Sequence, residues 1–175
     1  MHIIILVLIF SLSFFSETCI NAEALSSLEE VSDQGTTYVL YYRDQDPKHP
    51  EKMAVSFGPK CNFRGNFLAL NSCNESYVEI SFETPDDFLK GEKEVELTLG
   101  HLSAMIRGSY RGSPIDIFVN GELFSHRHDP NSGKIVYDKF DITDWVQEGA
   151  NTIKLQMLNG KSQYWLNSLR LNFRK

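Results

Sequence analysis

Long apolar runs are scarce in this sequence. The one present, Ile3 to Phe15, is broken only by Ser11 and Ser13. It is too short to span a bilayer comfortably, and no later run could span one. Strong helical periodicity is missing as well, which leaves an all-β reading. Basic residues are in the minority: 17 Lys and Arg face 23 Asp and Glu, for a net charge of −6. That balance favours solubility and argues against general nucleic-acid binding. No G-x-S-x-G elbow or other nucleophile signature occurs, so the chain reads as a non-enzyme. A hydrolase would have to be assembled from Ser103 or Ser109 with His101 and an Asp. Repeats and low-complexity linkers are absent too. Cysteine is limited to Cys19, Cys61 and Cys73.

The N-terminal apolar run is followed by small and polar residues, and Ala22-Glu23-Ala24 fits the A-x-A cleavage pattern. Residues 1–24 are therefore expected to be a signal peptide, and residues 25–175 one secreted, extracellular domain. The departure from pattern is an n-region with His2 but no Lys or Arg. A retained signal anchor is the competing reading, and the shortness of the run weighs against it, so no membrane insertion is expected. Cys19 leaves with the signal. Cys61 and Cys73, close in sequence and in an oxidising compartment, read as one disulfide, with two buried thiols as the alternative. Beside them Asn74-Glu75-Ser76 is an N-glycosylation sequon, which would mark the chain as a glycoprotein with a surface loop there.

What the chain has in quantity is short strand runs. Tyr38–Tyr42, Met53–Phe57, Tyr77–Phe82, Glu94–Leu99, Ile115–Val119, Ile135–Phe140, Thr152–Met157 and Leu166–Phe173 are rich in β-branched and aromatic residues, several with clean alternation. Asn120-Gly121 sits between two such runs and predicts a type I′ hairpin, whose central residues both need φ > 0. One helical turn is expected at Thr143–Gln147, capped by Thr143 or Asp141. Short strands at this spacing imply a β-sandwich of two antiparallel sheets. Residues 25–76 are expected to complete that sandwich, because its second sheet needs an N-terminal strand.

If successive strands from Tyr77 alternate in direction, their loops sort onto two ends. One end collects Thr84–Lys93, Asn120-Gly121 and Thr143–Ala150 and is tight and acidic. The other collects Ser103–Ser113, His126–Gly133 and Asn159–Tyr164 and is longer and basic. Binding residues concentrate on loops carried by a rigid scaffold, so the second rim is the candidate site. Arg107, Arg111, Arg127 and Lys161 suit carboxylate or sulfate groups. Tyr110 and Tyr164 offer flat apolar faces for sugar rings, with His126, His128 and Asn159 beside them. Trp165 fits either a buried place in the final strand or the rim, whereas Trp145 reads as a packing anchor. His126 and His128, at i and i+2 on a strand, would point the same way and could share an ion. With no third His nearby, no Cys partner and Arg127 between them, no metal is assigned.

Residues 77–173 resemble the galactose-binding-like jelly roll, the superfamily of carbohydrate-binding modules and of the sugar-binding sandwich domains of glycosidases. The resemblance rests on Ile115-Asp116-Ile117-Phe118-Val119-Asn120-Gly121, Phe140-Asp141-Ile142-Thr143-Asp144-Trp145-Val146, Glu148-Gly149-Ala150-Asn151-Thr152-Ile153 and Trp165-Leu166-Asn167-Ser168-Leu169-Arg170-Leu171. It implies a jelly-roll β-sandwich and a lectin-like, non-catalytic module whose partner is an extracellular glycan or glycoprotein. Family sites use a loop aromatic, matched by Tyr110, and an Asn before the last strand. Trp165 stands near that position, with Asn159 and Asn167 as substitutes, a departure that turns the expectation from neutral towards anionic glycans. Some relatives carry a structural calcium ion, for which Glu79 and Asp138 are the conceivable ligands here, although no loop has calcium-binding spacing. The alternative function is a secreted protein–protein interaction domain without a glycan ligand.

Overall fold

A computed structural model describes residues 29–43, 46–72, 75–106, 109–110, 113–158 and 163–175. The expected signal peptide lies outside the described residues. The strands are β1 (Glu29–Ser32), β2 (Gly35–Arg43), β3 (Asp46–Lys48), β4 (Met53–Phe57), β5 (Cys61–Phe63), β6 (Leu68–Leu70), β7 (Tyr77–Glu83), β8 (Glu94–Ser103), β9 (Met105–Ile106), β10 (Ser109–Tyr110), β11 (Ile115–Val119), β12 (Glu122–His128), β13 (Val136–Asp141), β14 (Ala150–Met157) and β15 (Tyr164–Arg174). The one helical element among them is a 3₁₀ turn, Thr143–Trp145. No helix of the described residues is long and apolar enough to cross a membrane.

The strands make a jelly-roll sandwich of two antiparallel sheets. The larger sheet combines β1, β2, β3, β5, β6, β8, β13 and β15, and the smaller runs β12-β11-β14-β7-β4. Alternation in the sequence produces this layering directly. Along β14 the even-numbered positions face outward while Asn151, Ile153, Leu155 and Met157 are buried, and β11 buries Ile115, Ile117 and Val119. Against them the larger sheet packs Val95, Leu97, Leu99, Leu169, Leu171 and Phe173. Truncating any one of these leucines to Ala would cost about 2–5 kcal/mol through lost burial and the cavity left behind. The segment before Tyr77 supplies strands to both sheets: β2 pairs with β15 over seven residues, and β4 forms the edge beside β7.

The Asn120-Gly121 turn has φ values of 50° and 81°, as a type I′ hairpin requires. At that end Thr84 N donates to Gly149 O (3.0 Å) and Asn120 N to Thr152 O (2.9 Å). At the opposite end Ser103 N donates to Ser132 O (2.8 Å), Ala104 N to Gln163 O (2.9 Å) and Leu158 N to Pro114 O (3.0 Å). The two loop sets are thus gathered as strand alternation implies.

Candidate functional site

The tight end is a closed network. Asn120 Nδ2 donates to Trp145 O (2.8 Å) and Asn151 Oδ1 (2.9 Å), and its Oδ1 accepts from Thr152 N (2.9 Å). Asn151 Nδ2 donates to Gln147 O and Gly149 O, and its Oδ1 also accepts from Gln147 N. Asp141 Oδ1 accepts from Thr143 N at 3.0 Å and from its hydroxyl, holding the 3₁₀ turn. A groove of about 730 Å³, lined by Met53, Ser81, Asn120, Gln147, Asn151 and Thr152 among others, opens here. Its amides are consumed by the scaffold, and none of its lining residues is an exposed aromatic ring. The Asn side chains of the V-N-G and G-x-N segments therefore serve the fold.

Of the expected rim residues, Arg107, Arg111, Asn159 and Lys161 lie outside the described residues, and Tyr110 is placed by the backbone of β10. Tyr164 is corrected outright. It belongs to β15, its side chain is fully buried, and it faces the core with Leu166. Trp165, one residue on, points the other way. It is half-buried, packs on Phe67 (centroids 5.4 Å apart) and donates Nε1–H to Gln163 Oε1 at 3.0 Å. Trp145 packs edge-on against Phe124, as an anchor should.

His126 and His128 do not point the same way. Opposite β11, one residue (Asp116) faces two (His126 and Arg127), a β-bulge, and Arg127 adopts the left-handed region with φ 55°. Asp116 Oδ1 accepts from Arg127 N and contacts His126 Nδ1, both at 2.9 Å. The bulge breaks the alternation: His126 stays outside with Asp116, while His128 turns into the seam between the sheets.

There His128 meets two inward residues of the other sheet. His128 Nε2 lies 2.8 Å from Asp138 Oδ2, and His101 Nε2 lies 2.9 Å from the same oxygen. The imidazoles stack, centroids 5.4 Å apart, and Phe140 closes edge-on against His128. His101 Nδ1 and the Tyr164 hydroxyl are 2.6 Å apart. Burial of the ring pushes the His101 pKa down to about 4 despite the Asp138 carboxylate, so the ring is neutral at pH 7. Burial likewise drives the Tyr164 phenol well above its usual value, keeping it protonated. No Ser–His pair is assembled in the described residues: Ser103 Oγ donates to Asp129 Oδ1 at 2.8 Å, and His101 is engaged by Tyr164 and Asp138. Sequence reasoning had the signals for this cluster, since His101 falls in step with Leu97 and Leu99, and Asp138 with Val136 and Phe140.

A second grouping lies on the outer face of the larger sheet. Tyr137 is opposite Gly100, Gly100 opposite Ser168, and Ser168 opposite Tyr41, one row across β13, β8, β15 and β2. The tyrosines thus stand roughly 14 Å apart, three strand spacings, with a glycine and a serine as the floor between them. The Tyr137 ring leans over Gly100, where an added Cβ would come within 3.0 Å of the ring, and the residue remains 62% exposed. Tyr41 is 36% exposed, and its hydroxyl accepts from Arg170 Nη2 at 3.0 Å. The next row is Leu102 and Trp165, so this face runs on towards Ser103 and Gln163 at the end of the strands.

Glu79 and Asp138, the carboxylates expected for calcium, do not converge. Glu79 is on the outer face of β7, opposite Ser56 and Lys154, and Asp138 is on the inner face of the other sheet. Cys61 is in β5 with Sγ 3.2 Å from the Tyr77 carbonyl oxygen, while its expected partner Cys73 and the sequon residue Asn74 lie outside the described residues.

No protein-family model matches the sequence, and no curated protein matches it. Solved structures do match in fold. The CBM36-1 domain of a multidomain xylanase from the hindgut metagenome of Trinervitermes trinervoides covers 77% of this chain and 95% of its own, at 14% identity and a TM-score of 0.52. A CBM36 carbohydrate-binding module solved with calcium and xylotriose covers 76% and 98%, at 13% identity and a TM-score of 0.51. A family 35 carbohydrate-binding module from an environmental isolate covers 75% and 90%, at 11% identity and a TM-score of 0.50. At such identities the likeness concerns architecture, and it establishes that this chain shares the jelly-roll sandwich fold of these modules.

Proposed function

We propose that the protein is a secreted, non-catalytic carbohydrate-binding module that holds its glycan on the outer face of the larger sheet, from Tyr137 and Tyr41 to Trp165 and the adjoining basic rim. The observation that carries the reading is the cross-strand row Tyr137–Gly100–Ser168–Tyr41. An aromatic ring over a strand glycine can serve packing alone. Here, however, a second exposed tyrosine and a half-buried tryptophan share the face, and the two residues between the tyrosines, Gly100 and Ser168, are small. Sugar rings present an apolar C–H face that such flat surfaces accept, and the exposed Arg170 supplies hydrogen-bond donors on the same face. Arg170, held by Tyr41 and with further N–H donors, favours glycans that carry a carboxylate or sulfate. The fold agrees, since the structural neighbours are themselves carbohydrate-binding modules. No calcium ion is invoked, because the expected ligands lie on different sheets.

A glycan array read at two salt concentrations tests the proposal, followed by titration of the best glycan against Tyr137→Ala and Trp165→Ala. Binding that weakens at least tenfold in both variants, and with salt for acidic glycans, is the expected result. An array blank at low salt would end the glycan reading and leave the protein–protein alternative. Secretion is tested by whether a chain expressed with its own N-terminus appears in the medium beginning at Leu25.

A further inference from the structure

We propose that His101, His128 and Asp138 form a binding site for one divalent transition-metal ion of the zinc type, bridging the two sheets at the seam. The three residues each present one donor atom, and these atoms lie within 4.8 Å of one another. Two imidazole nitrogens and one carboxylate oxygen, completed by a water, are a donor set that suits zinc and its neighbours, whereas calcium and magnesium need all-oxygen shells.

The present geometry is close to what an ion needs. In tetrahedral coordination, metal–ligand bonds of about 2.0–2.2 Å put neighbouring ligand atoms roughly 3.3–3.5 Å apart. The two nitrogen–oxygen separations are 2.9 and 2.8 Å. They must open by about half an ångström, which small side-chain rotations supply. Both imidazoles already converge on a single oxygen, so the ion would occupy the place where two N–H groups now point.

The surroundings resemble a supported site more than an accidental cluster. His101 and Asp138 stand on adjacent strands of one sheet, in a register fixed by six consecutive pairs. His128 is delivered from the other sheet by the bulge at Arg127, and Phe140 holds its ring. The loop after His128 is pinned by Asp129, which accepts from Ser103 Oγ, Ser113 N and Asn131 N at 2.8, 2.7 and 2.9 Å. A metal-bound His ordinarily gives its second ring N–H to an oxygen partner. For His101 that partner is in place: with the metal on Nε2, Nδ1–H donates to the Tyr164 oxygen, 2.6 Å away. The side chains of His128 and Asp138 keep 21% and 34% exposure, which gives the ion and a completing water a way in. Bound there, the ion would join β8 and β13 to β12 and lock the seam.

The test uses the tag-free chain, dialysed against chelator. Zinc is titrated calorimetrically, and cobalt is used as a spectroscopic stand-in. The expected result is one ion per chain with micromolar or tighter affinity, a visible cobalt spectrum of tetrahedral type, a raised thermal midpoint, and no displacement by excess calcium. His128→Ala and Asp138→Asn should each weaken zinc at least tenfold while far-ultraviolet circular dichroism shows the fold intact. His126→Ala should bind as the parent does. If Asp138→Asn does not fold, the partly exposed His128→Ala decides alone. A parent chain that binds no zinc at micromolar concentration, or zinc binding that survives His128→Ala, would overturn the proposal.

Discussion

The two polar clusters of this sandwich are built on opposite principles. At the tight end, Asn120 and Asn151 satisfy the backbone between Trp145 and Thr152, and every side-chain amide hydrogen bond found there runs within the scaffold. At the seam, two imidazoles are spent on one carboxylate oxygen, and Asp138 remains about one-third exposed. A saturated network rigidifies, because any group it loses leaves a buried partner unpaired. A network whose donors crowd one acceptor can exchange that arrangement for a cation. The difference explains why the residues most legible as a family pattern are the least useful for binding.

Breaking the saturated cluster should cost most. Asn151 is 2% exposed and makes four hydrogen bonds. Asn151→Ala is expected to destabilise by about 3–4 kcal/mol in urea unfolding, since each buried group left unpaired costs roughly 1–3 kcal/mol. Zinc affinity should not change, and a loss of it would show that the two clusters are coupled.

The seam should respond to pH where the tight end does not. The folded pKa of His101, about 4, lies below its ordinary 6.5. Between those values the unfolded chain binds the extra proton, so stability is full above pH 6.5 and is lost as pH falls towards 4. The loss in chelator-treated protein is expected to reach about 3 kcal/mol. Urea midpoints at pH 7, 5.5 and 4 measure it, and a parallel series on His101→Gln should be flatter. An equal slope in that variant would show that the titration belongs elsewhere.

Smaller changes sharpen the contrast on the outer face. In Gly100→Ala the new Cβ would meet Ser168 Oγ at 2.4 Å and the Tyr137 ring at 3.0 Å. The hydroxyl can turn and the ring must lift, at a cost of about 1 kcal/mol, and glycan affinity should fall with the displaced ring. Tyr137→Ala should alter stability by no more than about 0.5 kcal/mol yet lower glycan affinity at least tenfold, about 1.4 kcal/mol. Equal affinity in both variants would move the glycan off this face.

Much of the architecture was legible because alternation is a local signal. The runs at Tyr77 and Thr152, the Asn120-Gly121 turn and the parity of the loops all follow from neighbours in the chain. The outer-face row was not legible. Tyr137, Gly100, Ser168 and Tyr41 come from four strands, and only the pairing register, set by the whole core, puts them side by side. The Tyr164 error has the same origin. Loop composition up to Gln163 suggested a rim residue, but β15 begins at Tyr164, and its first side chain already points inward. A period of two carried across the bulge sets His128 on the wrong face.

That bulge behaves as a phase slip in the strand. Ser125 faces Ile117 and His128 faces Ile115, so residues three apart fall in step, where an unbroken strand would set them on opposite faces. The slip needs the positive φ of Arg127, which a β-branched side chain resists, and Asp116 holds the Arg127 N–H there. Arg127→Val would push the strand back to regular phase and swing His128 towards solvent. A residue that supplies no donor atom would then decide whether the three ligands meet.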